Sequence, residues 1–128
     1  MANKNENVMI LMEEIIQGIE NVKGESIQKM DLRKIENTPF EFFVICSGNS
    51  NTQVSAIVNS IQKNVSKRLH EKPLHTEGLE MSEWVLIDYV NVVVHVFQRK
   101  TREMYNIEEL WGDAISTQIV SNLSLIHI

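Results

Sequence analysis

The chain has 128 residues, of which 43% are hydrophobic, so it is long enough to bury a core without a metal or a disulfide. Its formal net charge of −5 argues against a protein that holds nucleic acid mainly through the phosphate backbone, because such proteins present a basic surface. Cys46 is the single cysteine and the polar start MANKNEN lacks the apolar core of a secretory signal, so we expect one domain in the reducing cytoplasm, with no membrane span.

The first half of the chain predicts a helix followed by two strands. Apolar residues recur at helical spacing from about Val8 to Lys23, and Gly24 ends this helix. Ile27 to Leu32 alternates apolar and polar residues, which predicts a half-exposed strand at a sheet edge. Phe40 to Cys46 is apolar on both faces, and this pattern predicts an interior strand antiparallel to its predecessor.

A second helix is predicted after the turn Ser47–Ser50. Ser50 and Gln53 have the spacing of a capping box, and Pro73 lies beyond the helix end. The stripe expected to be buried consists of Val54, Ile57, Val58, Ile61, Val65 and Leu69. Since a strand followed by a crossover helix returns to the same sheet, we expect either Leu74–Glu77 or the Trp84 strand to run parallel to the Phe40 strand.

A hairpin is predicted next, with strands Trp84–Tyr89 and Val92–Phe97 joined at Val90-Asn91. Both faces of the second strand are apolar apart from His95, as expected of a central strand. Gln98 to Tyr105 is polar and is interpreted as a charged turn. Asn106 with Glu109 resembles a capping box and predicts a helix whose apolar face would hold Ile107, Leu110, Trp111, Ala114 and Ile115.

The predicted fold is therefore a single α/β domain with a mixed sheet of about five strands covered by helices. We expect residues 1–118 to form this domain. Residues 119–128 (IVSNLSLIHI) form an apolar tail, which we expect to dock on the domain or to pair with a second copy as a homodimer.

Few residues offer catalytic chemistry. The turn Ser47–Ser50 could bind a nucleotide, but it has one glycine and no following lysine, so an ordinary strand-to-helix turn is favoured. The four histidines have no metal-ligand spacing, and we predict neither metal nor other cofactor. His95 is interpreted as a structural, neutral core histidine that donates to a backbone carbonyl or a carboxylate. Asp88 is expected to close the hairpin by accepting amides of the turn.

Aromatic residues around the hairpin suggest a protein-binding surface instead. Trp84, Tyr105 and Trp111 flank the central stretch together with Arg102, and these residue types dominate interface hot spots. For Trp111, a place in the core is the stronger interpretation, since it shares its predicted helix face with Ile107.

At these positions the sequence resembles the Iojap family of ribosomal silencing factors, called RsfS in bacteria. The resemblance runs from the first helix to about Ala114 and is strongest in E-G-x5-W-x3-D-x6-H-x6-R-x2-Y-x2-E-x-L-W, from Glu77 to Trp111. Val90 departs from the family, which usually has glycine in this turn. Because valine resists positive φ, we expect Asn91 to adopt any left-handed conformation.

The resemblance implies a fold similar to nucleotidyltransferases without their catalytic acids, and a protein that is not an enzyme. It implies binding to the large ribosomal subunit through a ribosomal protein, the one numbered fourteen in that subunit, so that joining of the small subunit is hindered during starvation. The acidic charge of the chain agrees with this, since an acidic protein should dock on a basic ribosomal protein and make little direct contact with nucleic acid. The partner-binding residues would be Trp84, Asp88, Arg102, Tyr105, Glu108, Trp111 and, as a weaker candidate, Glu109. The alternative is a nucleotide-binding or nucleotidyltransferase-like enzyme that uses the Ser47–Ser50 turn.

Overall fold

The computed structural model describes residues 4–120, which form four helices and one six-stranded sheet. In chain order the elements are α1 (Lys4–Asn21), β1 (Glu25–Asp31), β2 (Phe42–Gly48), α2 (Asn51–Leu69), β3 (His75–Glu77), β4 (Trp84–Asp88), β5 (Val92–Gln98), α3 (Arg99–Tyr105), α4 (Ile107–Leu110) and β6 (Ile115–Gln118). The strand order across the sheet is β3-β4-β5-β2-β1-β6. Among residues 4–120, none of the helices combines the length and the hydrophobicity that a membrane span requires.

The sheet is mixed, as predicted. β2 pairs in parallel with β5, while β1 pairs antiparallel with β2 and β4 antiparallel with β5. β3 runs in the same direction as β2, but β4 and β5 lie between them, and the Trp84 strand runs antiparallel to β5. The parallel partner of the Phe40 strand is thus β5. The sequence predicted that β5 is a central strand, but it did not predict this pairing.

The two faces of the sheet are covered differently. α1 and α2 pack on one face against Phe42, Val44, Val94 and Val96. The helices approach closely at Gly18, where an added Cβ would lie 2.8 Å from the Ile61 Cα. The opposite face holds a smaller cluster of buried residues, Met30, Leu32, Phe43, Ile45, Val93, Phe97 and Ile107. This second face is covered by aromatic side chains and by the segments after β5.

Predictions for the first half need three adjustments. α1 begins at Lys4 and ends at Asn21, so the helix starts earlier than Val8. The edge-strand prediction for Ile27–Leu32 was wrong, because β6 pairs with β1 and takes the edge. The strand predicted from Phe40 begins later, at Phe42, and Phe40 packs on the face opposite α1 and α2.

The segment after β5 differs most from the prediction. Gln98–Tyr105 was expected to be a turn, but α3 occupies Arg99–Tyr105. The helix expected from Asn106 to Ile115 was wrong: α4 is a single turn, and Ile115 begins β6. Asn106 is the cause, since its left-handed φ of 46° ends α3 and redirects the chain.

Only the start of the apolar tail can be described. The Ile119 amide donates to the Ile27 carbonyl over 2.8 Å, and its partly buried side chain packs on the core. Val120 is exposed. The remainder of the tail expected at 119–128, residues 121–128, lies outside the described residues.

Candidate functional site

The sheet face opposite α1 and α2 carries a connected group of aromatic rings. The Trp84 ring stacks on Phe97 with centroids 4.9 Å apart, and Tyr105 lies 5.0 Å from Trp84. Trp111 meets Phe43 edge to face at 5.4 Å, and Phe43 meets His95 at 4.6 Å. Tyr105 is 56% exposed although it rests on Trp84, so the group reaches from the sheet to solvent.

His95 is the polar centre of this group. It is only 4% exposed, and burial lowers the pKa of its imidazole to about 4, so the ring is neutral at physiological pH. The Trp84 Nε1–H donates to His95 Nδ1 over 3.1 Å, which places the proton of the neutral ring on Nε2. The buried Nε2 has no partner among the described residues. The expected donation to a carbonyl or carboxylate was therefore wrong, while the neutral, buried state agrees with expectation.

Arg102 joins α3 to the sheet. Its side chain is only 12% exposed, and its Nε donates to a Glu108 carboxylate oxygen over 2.7 Å. One terminal nitrogen donates both to the Ser26 carbonyl and to the Ser47 hydroxyl, over 2.7 and 2.8 Å. Ser26 offers its carbonyl because it has a φ of 50° within an irregularity of the β1–β2 pairing. Most donors of the guanidinium are thus used inside the protein.

Asp88 lies at the other end of β4 from Trp84, roughly 13 Å away at about 3.3 Å per residue. One carboxylate oxygen accepts the Val90 amide over 2.7 Å, which is the turn-closing contact expected from sequence. Val90 has a φ of 77°, and the Asn91 amide donates to the Tyr89 carbonyl across it. The left-handed residue is therefore Val90, and the prediction of Asn91 was wrong, because the turn is a tight γ-turn centred on valine.

The other predicted site residues lie on or beside the aromatic group. Glu108 is partly buried by its ion pair with Arg102, and Trp111 is partly buried against Phe43. Glu109 is exposed and accepts a hydrogen bond from the Asn106 side chain. The structure thus groups Trp84, Arg102, Tyr105, Glu108 and Trp111 at the α3–α4 end of the sheet and leaves Asp88 apart.

Sequence reasoning missed several exposed apolar residues near this group. Met104 is 76% and Leu110 78% exposed on α3 and α4, and Met81 is 65% exposed in the loop that leads into Trp84. Leu110 had been assigned to a buried helix face. The sequence did contain a signal for their exposure, since acidic residues surround these side chains and such a composition is typical of an exposed segment.

The turn Ser47–Ser50 uses its polar groups internally. Ser50 Oγ accepts the Gln53 amide over 3.1 Å, and the Gln53 side chain accepts the Asn49 amide over 2.6 Å. A Cβ on Gly48 would lie 3.2 Å from Val54, so this glycine serves packing. In the described range no three His, Cys, Asp or Glu side chains group to hold a metal ion. Nothing in this geometry favours a nucleotide over the capping role.

Comparison with known proteins decides the family. Residues 5–126 match the model of the family described as ribosomal silencing factor during starvation, RsfS. The chain belongs to the RsfS family. This confirms the resemblance found in the stretch from Glu77 to Trp111.

Individual RsfS relatives agree with this. The chain is 36% identical over 114 residues to the ribosomal silencing factor RsfS of Halalkalibacterium halodurans, which covers 89% of this chain and 96% of the relative. It is 32% identical over 73 residues to the mouse mitochondrial assembly of ribosomal large subunit protein 1, over 56% of this chain and 32% of that protein. A crystal structure of a Chromobacterium violaceum protein matches with a TM-score of 0.76 at 34% identity, covering 88% and 92% of the two chains.

Proposed function

We propose that this RsfS protein binds the large ribosomal subunit through a basic ribosomal protein, the one numbered fourteen in that subunit, and so hinders joining of the small subunit. Family membership supports a ribosomal role. We propose that the binding site is centred on Tyr105, because this side chain is 56% exposed yet is held in place by contact with Trp84. An aromatic side chain that is already ordered loses little conformational freedom on binding, which favours a hot-spot role.

The surroundings of Tyr105 fit a protein partner. Met81, Met104 and Leu110 add exposed apolar area from the neighbouring segments. A standard interface buries roughly 800 Å² on each partner. The Trp84 end of β4 together with α3 and α4 could supply a binding surface of about that size.

Charge favours a basic partner. Glu80, Glu83, Glu103 and Glu109 are exposed in the same segments that supply the apolar residues. Carboxylates around an apolar centre would attract lysine and arginine on the partner, and they would repel the phosphates of ribosomal RNA. The surface therefore fits a basic ribosomal protein better than RNA.

The remaining motif residues are proposed to support this face. Arg102 and Glu108 hold α3 against the strands, and His95 fixes the Trp84 ring through its Nδ1. Asp88 shapes the far end of the hairpin through the Val90 amide, so its part in binding is proposed to be indirect. Trp111 is proposed to seal the face over Phe43.

Binding to purified large subunits and inhibition of subunit joining test the proposal. Tyr105→Ala should weaken binding by at least about 2 kcal/mol, or about thirtyfold, and should restore joining in a sucrose-gradient assay. Two exposed residues on the α1–α2 side serve as controls: Lys63→Ala removes a charge, and Ile10→Ala removes apolar surface, 39% of Ile10 being exposed. Both should bind as the parent does.

A melting curve for each variant separates lost binding from lost folding. If Tyr105→Ala and Asp88→Ala stay folded and bind the large subunit as tightly as the parent, the placement of the site is wrong. The basic stretch of α2 around Lys63 would then be the surface to test.

A further inference from the structure

A cleft of about 360 Å³ opens far from the aromatic group, where α1 begins, α2 ends and the β4–β5 hairpin turns. Its lining residues are Asn7, Val8, Leu11, Glu71, Tyr89 and Asn91. They come from α1, from the segment just after α2 and from the β4–β5 turn, and the proposed ribosome-binding role uses none of them.

Tyr89 is the unusual member of this cleft. Its side chain is only 6% exposed, and its hydroxyl has no hydrogen-bond partner among the described residues. Burial, and then the negative charge of Glu71, raise the pKa of the phenol well above its ordinary value, so the hydroxyl remains protonated. Buried polar groups in folded proteins are nearly always paired, so this hydroxyl calls for a partner from outside the described chain.

The other lining groups define the chemistry of that partner. Glu71 is exposed and forms no ion pair with a described side chain, so the cleft offers a carboxylate. Neutral oxygen acceptors are added by the side-chain amides of Asn7 and Asn91 and by the Tyr89 hydroxyl. Val8 and Leu11 provide an apolar wall. A primary ammonium has three donors and no acceptor, and an alkyl stem suits such a wall. An anion would instead be repelled by Glu71.

We propose that this cleft is a binding site for a primary alkylammonium group, in which Glu71 meets the charge and the Tyr89 hydroxyl accepts one of its hydrogen bonds. A lysine side chain of a partner and a free polyamine share this chemistry. The site is separate from the aromatic group, so the proposal stands or falls independently of the ribosome-binding surface.

Titration of the ¹⁵N-labelled protein with n-butylammonium at constant ionic strength tests the site. We expect saturable shifts of the amides of Asn7, Val8, Glu71 and Asn91. n-Butanol lacks the charge and tetramethylammonium lacks the donors, so each should bind at least about tenfold more weakly. Comparison of spermidine with Nα-acetyl-lysine methylamide then identifies the source, since the tighter of the two shows whether a polyamine or a peptide lysine suits the cleft.

Variants tie the binding to the named groups. Glu71→Gln and Tyr89→Phe should each weaken n-butylammonium binding about tenfold. Glu71 is exposed, so its variant keeps the result interpretable if Tyr89→Phe alters the fold. Glu20→Gln, elsewhere on α1, is the matched carboxylate control and should bind normally. Absence of saturable shifts, equal binding of n-butanol, or undiminished binding by Glu71→Gln would overturn the proposal.

Discussion

Protonation of His95 should destabilise the protein by a predictable amount. The charged ring carries hydrogens on both nitrogens, so Nδ1 could no longer accept from the Trp84 indole, and the charge would be buried at 4% exposure. The folded-state pKa of about 4 lies below the ordinary 6.5, so the unfolded chain takes up the proton first as the pH falls. The contribution of neutral His95 to the free energy of unfolding is therefore fully present above about pH 6.5 and is lost as the pH drops towards 4.

The magnitude follows from the same two values. At about 1.4 kcal/mol for each factor of ten in proton affinity, the full loss is about 3 kcal/mol, and about 2 kcal/mol of it falls between pH 7 and pH 5. His95→Gln cannot take up this proton. We expect it to cost about 1 to 3 kcal/mol at pH 7, because it disturbs a buried polar group, but to lack the further loss at pH 5.

Urea unfolding of the parent and the variant at pH 7, 6 and 5 measures the difference directly. Taking the difference between the two proteins removes the other titrating groups, including Asp31, whose pKa is held low mainly by its hydrogen bond to Arg33. The fluorescence of Trp84 should change as the pH falls in the folded parent, since its indole donates a hydrogen bond to His95. If the stability difference is the same at pH 7 and pH 5, His95 does not titrate as the structure requires.

Three further changes should alter stability in defined directions. Val90→Gly should raise the unfolding free energy by about 1 kcal/mol, because glycine accepts the φ of 77° and valine does not; a decrease in urea midpoint would contradict this. Arg102→Met should cost about 2 to 4 kcal/mol, since it strands the partly buried Glu108, and Arg102→Lys should recover little; stability within about 0.5 kcal/mol of the parent would be the opposing result. Gly18→Ala should lower the melting temperature, because the added methyl meets the Ile61 backbone; an unchanged melting temperature would show that the helices can separate without cost.

The sequence predicted the elements whose patterns are dictated by burial. β2 and β5 are apolar on both faces because each is covered on both sides, and the stripes of α1 and α2 lie against the sheet. Ser50 also caps α2 as its spacing predicted. In these elements local pattern and tertiary environment agree, so periodicity was sufficient.

Prediction failed where short segments depend on distant partners. α3 has no buried residue, so it leaves no periodic signal, and Arg102 anchors it through bonds to Ser26 and Ser47. The single turn of α4 follows from the left-handed Asn106, which the capping-box pattern could not distinguish from a helix start. Val90 adopts a conformation that its side chain disfavours, because the Asp88 carboxylate holds the turn amide.

The motif from Glu77 to Trp111 therefore contains two kinds of residue. Gly78 has a φ of 92°, and a side chain there would collide with the Trp84 carbonyl, so this glycine sets the path into β4. The guanidinium of Arg102 is used by hydrogen bonds inside the protein, and His95 is buried. Tyr105 alone among the motif aromatics is mostly exposed, and the buried members hold its neighbours in place. It follows that changes at Gly78, His95 or Arg102 should reduce binding to the ribosome in proportion to lost folding, whereas a change at Tyr105 should reduce binding with little loss of stability.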